Sequence, residues 1–134
     1  MSIEKKEIVR ARDVMDQKLV FVDGMATAAE AAAMMREEHV LSLLVEKRNP
    51  DDVWGIIVVQ DIIREVLVTT REASEVNVYE IMSKPVVTVP GDMDIRYAAR
   101  LLLNAGVRRA PVEEQGELVG MLSLSSLVLN NRLF

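Results

Sequence analysis

An α/β (α+β) fold of two pseudo-symmetric repeats, each a small sheet with flanking helices and the pair packed sheet to sheet, is predicted by three observations. Gly55-Ile-Ile-Val-Val-Gln-Asp61-Ile62 reads as a strand running into a helix, and Gly120-Met-Leu-Ser-Leu-Ser-Ser126-Leu127 repeats it. Asp13-Val14-Met15 answers to Glu80-Ile81-Met82, and Phe21-Val22-Asp23-Gly24 to Thr88-Val89-Pro90-Gly91, both 67 residues apart. Val40 to Val45 aligns with Val107 to Val112 at the same offset, which shortens to 65 at Gly55 and Gly120 because the Asn49-Pro50-Asp51-Asp52 loop is longer. A long period that occurs only twice argues for two halves closing on each other, over residues 8–70 and 71–130, rather than for a solenoid.

Each half reads in the same order. Arg12 to Met15 makes a helical turn and Leu19 to Val22 a short strand. Thr27 with Glu30 three residues on forms a capping box for a helix ending near Glu38. Its alanines at 28, 29 and 31–33 favour helix and allow close approach of a neighbour. Leu41 to Val45 and Trp54 to Val59 are rich in branched residues and read as buried strands around a polar turn. A helix from Gln60 to about Thr69 ends this half, and the polar stretch Arg71 to Asn77 reads as the linker. In the second half a turn at Val78 to Met82 precedes a strand at Val86 to Val89. Asp92 is the expected N-cap of a helix over Asp94 to Ala105, stopped by Gly106. Strands at Arg109 to Val112 and Leu118 to Ser123 flank the Gln115-Gly116 turn, and a helix starting near Leu124 follows.

Composition narrows the function. The 134 residues are 50% hydrophobic, enough for one substantial core or two small ones that share an interface. No apolar run approaches the ~18 residues of a membrane span and the first residues lack a signal-peptide core, so a cytoplasmic protein is expected. Zero cysteines remove disulfides, thiolate nucleophiles and Cys-ligated metals. The net charge of −5 opposes non-specific binding of nucleic acid, for which Arg108-Arg109 is the one basic patch. His39 is the single histidine and falls at a helix end; Asp51-Asp52 and Asp92 with Asp94 read as solvated turns and caps. With no metal-ligand spacing, nucleophile elbow, P-loop or dinucleotide fingerprint, catalysis is not expected.

The ordered set carried twice, the Val14-Met15 and Ile81-Met82 openings, Gly106-Val-Arg-Arg-Ala-Pro111-Val112 and the two Gly-led strand-to-helix segments, resembles a tandem pair of CBS (cystathionine β-synthase) domains, a Bateman module, over about residues 8 to 130. The resemblance implies a regulatory protein that binds an adenosyl ligand, AMP, ADP or ATP, with S-adenosylmethionine in the same class, in clefts between the repeats. It also implies a homodimer and a regulated partner protein.

The family's site pattern is Gly, two apolar residues, Ser or Thr, two variable residues, then Asp. This chain splits it: Asp61 is kept where Val58 replaces the hydroxyl, and Ser123 is kept where Ser126 replaces the aspartate. One composite site is therefore expected. Asp61 would accept hydrogen bonds from ribose, Arg109 and Arg108, just before Pro111, would meet the phosphate, and the backbone of Val20, Phe21 and Val22 the adenine edge. The second cleft, with Ser123, Ser126 and Thr88, lacks a carboxylate. Each residue has a plainer reading: Asp61 as a helix-terminus acid, the arginines paired with Glu113 or Glu114, the serines as caps, and Trp54 as a packing residue. The competing functions are a nucleic-acid-binding or transcription-linked module and a structural dimerisation module with non-functional clefts.

Overall fold

Parallel pairing of two short strands needs a crossover helix between them, and each half of the sequence supplies one. In a computed structural model, which describes residues 7–134, β1 (Phe21–Val22) runs through α2 (Ala28–Glu38) to β2 (Ser42–Val45), its parallel neighbour, which pairs antiparallel with β3 (Gly55–Val58). The second sheet repeats this with β4 (Val89–Pro90), α5 (Ile95–Ala105), β5 (Arg109–Glu114) and β6 (Glu117–Ser123). Its register repeats too: Val22 faces Val45 as Val89 faces Val112. Both sheets are three-stranded, and helices flank them.

The compact units cut across the sequence repeats. A continuous unit spans Leu19–Val86, while a split unit joins residues 7–18 to Val87–Phe134. The cause is that the opening segment of each repeat packs with the other repeat's strands. In the split unit, α1 (Ala11–Val14) places Val9, Ala11 and Val14 in a core with Val89, Leu102, Val112 and Leu122. In the continuous unit, α4 (Val78–Ile81) places Val78 and Ile81 against Ala28, Ala31, Leu43 and Ile57. The paired bridges Asp16–Met121 and Ser83–Ile56 fasten these segments to β6 and β3. They also explain the Gly-led strands: a Cβ at Gly120 would collide with Met15 Sδ and the Asp16 carbonyl, and one at Gly55 would meet Met82 Sδ at 3.0 Å. The Val-Met and Ile-Met openings and the two glycines are thus one packing device.

Several expected boundaries move. Asp94, not Asp92, caps α5, accepting from the Arg96 amide at 2.9 Å. The strand expected at Val86 to Val89 shortens to Val89–Pro90 because Val86 donates instead to the Trp54 carbonyl at 2.9 Å. Val59 is already helical, in α3 (Val59–Ile62), and Ile63–Leu67 continues as a π-helical turn, with the Val68 amide donating to Ile63 five residues back. The polar stretch at 71–77 does more than link: it holds a 3-10 turn at Ala73–Glu75, and Val76 is buried in the core with its carbonyl bound by the Ala28 amide at 2.7 Å.

Candidate functional site

Both strand-to-helix junctions end in the same local structure. In the continuous unit Asp61 is the third residue of α3, and its Oδ2 accepts from the Val58 amide at 2.8 Å. In the split unit Ser126 is the third residue of α6 (Leu124–Leu129), and its Oγ accepts from the Ser123 amide at 2.9 Å. Asp61 is only 5% exposed. Burial raises its pKa above the ordinary 3.8, against the lowering effects of the Val58 amide and of Arg64, whose guanidinium is 3.6 Å from Oδ1. Arg64 escaped the sequence reading, although its i+3 spacing from Asp61 on a helix was legible.

The serines are engaged as caps. Ser123 Oγ accepts from the Ser126 amide at 3.0 Å, and Ser126 Oγ donates to the Ser123 carbonyl at 2.9 Å. Val58, at the position of Ser123, offers no side-chain cap.

Arg108 and Arg109 open β5 directly beside this junction. Arg109 is paired across the sheet with Ser123, so their side chains share a face, and the Arg108 carbonyl accepts from the Leu124 amide at 2.9 Å. Arg108 is exposed and Arg109 half-buried. Burial, then the Arg108 charge, lowers the Arg109 pKa, though a guanidinium stays protonated. Neither arginine forms an ion pair among the described residues, and Glu114 pairs with Arg12 at 3.0 Å. Pro111 is fully buried and Thr88 half-buried just before β4.

On β1, the Val20 and Val22 carbonyls accept from the Leu44 and Glu46 amides at 2.9 and 3.0 Å. Since β1 is an edge strand, Phe21 carries the backbone groups this ladder does not use. The Phe21 ring packs on Trp54 with centroids 5.3 Å apart, which gives Trp54 a packing role. His39 is exposed at the end of α2.

Asp52 corrects the reading of a solvated turn acid. Its side chain is nearly buried and accepts from Lys84 Nζ at 2.7 Å, Arg48 Nε at 3.2 Å and the Arg48 amide at 2.9 Å. Lys84 and Arg48 hold its carboxyl far below the ordinary range. The fold thereby assembles a second cationic cluster that sequence order kept apart.

The CBS domain family profile matches residues 11–68 and 78–130. The chain is similar to an uncharacterised protein of Methanopyrus kandleri, 34% identical over 103 residues, which are 76% of this chain and 52% of that protein. The chain thus spans about half the length of that relative. It is also similar to the CBS domain-containing protein YhcV of Bacillus subtilis, 27% identical over 119 residues, 89% of this chain and 83% of that one. Among solved structures, the hexameric CBS-CP12 protein from bloom-forming cyanobacteria superposes with a TM-score of 0.88 at 35% identity, covering 91% of this chain and 70% of that one. A conserved protein from Pyrococcus horikoshii gives 0.83 at 27% identity, covering 96% of both chains. With both repeats matched by the profile and the same two-sheet architecture in its structural neighbours, this chain belongs to the CBS domain family as a tandem pair.

Proposed function

We propose that this CBS pair is a regulatory module that binds AMP, ADP or ATP, with Asp61 on the ribose hydroxyls and Arg109 on the phosphate, and signals through association. Proteins with such pairs are commonly regulatory rather than catalytic. The observation that carries the reading is the contrast between Asp61 and Ser126. Both accept the same backbone amide at the same helical position, so the cap needs no charge. Yet Asp61 holds a buried carboxylate against a desolvation cost. A carboxylate accepts from two ribose hydroxyls at once, and a neutral serine cannot match that. Arg109 supplies the other feature: a half-buried cation without an ion-pair partner among the described residues gains from an incoming phosphate.

Self-association belongs to the same proposal. In the split unit, α5 and α6 expose Tyr97, Leu103, Val128 and Leu129. Exposed apolar side chains on these helices are available for association, and a second copy of this chain is the proposed occupant. The nucleic-acid reading rests on Arg108 and Arg109, and the net charge of −5 opposes it. Clefts without function are favoured by one feature, the use of Ser123 and Ser126 as caps.

Calorimetry with AMP and adenosine, paired with sedimentation, tests the proposal. Asp61→Ala is expected to weaken both ligands by about ten- to a hundred-fold, the loss of roughly 1.5–3 kcal/mol from a charge-assisted hydrogen bond. Arg109→Ala is expected to weaken AMP and spare adenosine, and Ser126→Ala to change binding least. Equal binding by wild type and Asp61→Ala would reduce Asp61 to a cap. A wild-type protein that binds neither AMP nor adenosine while sedimenting as a dimer would establish the purely structural reading.

A further inference from the structure

We propose that the continuous unit carries a second small-molecule site, for a small organic anion with an aromatic or apolar body, at the end of its sheet opposite Asp61. The register separates the two places. Ser42 faces Val58 at the Asp61 end of the β2–β3 pair, and Val45 faces Gly55 at the other. A cavity of about 730 Å³ opens beside Val45, a volume within the range of ligand pockets, roughly 300–1,000 Å³. Met25, Tyr79 and Met82 give it an apolar wall, and Lys47, Arg48 and Lys84 give it three cations.

The split unit is an internal control, because it closes the same place. There the Arg12 amide donates to the Gly91 carbonyl at 3.0 Å, just as the Tyr79 amide donates to Gly24 at 2.9 Å. Arg12 then pairs with Glu114 at 3.0 Å, and the Glu114 side chain lies over Gly91 where a Cβ would sit. The residues 67 positions away, Tyr79 and Lys47, cannot make that pair. Lys47 Nζ instead lies 5.2 Å from the Trp54 ring centroid, and a Cβ on Gly24 would meet only ordinary contacts at 3.5 Å. The closure is missing and the space stays open.

Charge changes in the same direction. Glu114, Gln115 and Gln17 of the split unit correspond to Lys47, Arg48 and Lys84 of the continuous one. Asp52, from the longer loop present only here, engages Lys84 and the Nε of Arg48 and fixes both. Among the described residues, neither Lys47 nor the terminal nitrogens of Arg48 hold a carboxylate. Asp23 and Glu46 also line the space and oppose a polyanion, so a compact carboxylate or phosphate on an apolar body fits best. An aromatic body gains from the Tyr79 ring and the methionine thioethers.

Amide-resolved NMR titration of the full chain tests this with phenyl phosphate and benzoate, against inorganic phosphate and benzyl alcohol as half-ligands. The expected result is saturable, salt-sensitive shifts at Met25, Tyr79 and Lys84 with one or both aromatic anions, and at least tenfold weaker binding of either half-ligand. The stronger of phenyl phosphate and benzoate identifies the anion class. Tyr79→Arg combined with Lys47→Glu rebuilds the closure of the split unit and is expected to weaken binding at least tenfold. Lys47→Gln, which adds no bulk, is expected to weaken it less and serves if the double variant does not fold. No saturable shift with either probe, inorganic phosphate binding as tightly as phenyl phosphate, or undiminished binding by both variants would overturn the proposal.

Discussion

Two residues in matching places, Asp61 and Ser126, separate what a helix start requires from what it merely tolerates. The acid raises its own pKa by being buried, so the folded state holds a proton above pH 3.8 that the unfolded state has released. Stability from this group therefore falls as pH rises from 3.8 through the raised folded value. Asp61→Asn keeps an oxygen for the Val58 amide and removes the charge. Its melting temperature at pH 7 is expected to equal or exceed that of wild type, with the advantage shrinking as pH falls toward 3.8, while AMP binding is weakened. A variant less stable at every pH would make the carboxylate a structural requirement. Asp52 has the opposite sign: its lowered pKa gives stability that is complete above pH 3.8 and lost as pH falls below it, and it titrates in the same melting series. The helix-start role of Asp61 was legible from its place before an apolar helix. Its burial was not, because that depends on contacts distant in sequence.

At the level of elements, sequence rules worked where they were local. Thr27 and Glu30 form the expected reciprocal cap on α2, and Gly106 ends α5 in the left-handed region at φ 69°. They failed where a distant partner decided, as when Trp54 drew Val86 away from β4, and no local signal marked the π-helical turn. The two long helices end alike but with different residues. His39 takes the left-handed position at φ 56° after α2, where Gly106 stands after α5. A non-glycine residue bears a steric cost in that region, so His39→Gly is expected to stabilise the protein by roughly 0.5–1 kcal/mol. Gly106→Ala is expected to destabilise it by a similar amount, since a Cβ there meets nothing within 4 Å and only the backbone objects. Chemical denaturation of both variants checks the pair; a same-sign change would show that side-chain contacts, not backbone conformation, control these ends.

For the molecule as a whole, the repeat was legible from periodicity, but its division into compact units was not. Asp13-Val14-Met15 and Glu80-Ile81-Met82 are so alike that the sequence does not say which core each joins. That exchange sets an order of assembly. Everything in Leu19–Val86 is present once residue 86 has been synthesised, whereas the split unit must bring residues 7–18 back to partners such as Asp92, whose carbonyl accepts from Arg10 across 82 positions. Closing so long a loop costs entropy before any of its contacts are gained. The continuous unit is therefore expected to condense first. Pulse-labelled hydrogen exchange during refolding should protect the amides of Leu43 and Ile57 before those of Ala110 and Leu122; simultaneous protection would mean that the halves fold as one. During synthesis the early segment carrying Val9, Ala11 and Val14 waits unburied until the last third of the chain emerges, and in that interval a neighbouring copy's split unit could capture it. The topology that joins two halves in one chain thus also leaves open a route to swapped dimers, with the concentration of newly made chains deciding between them.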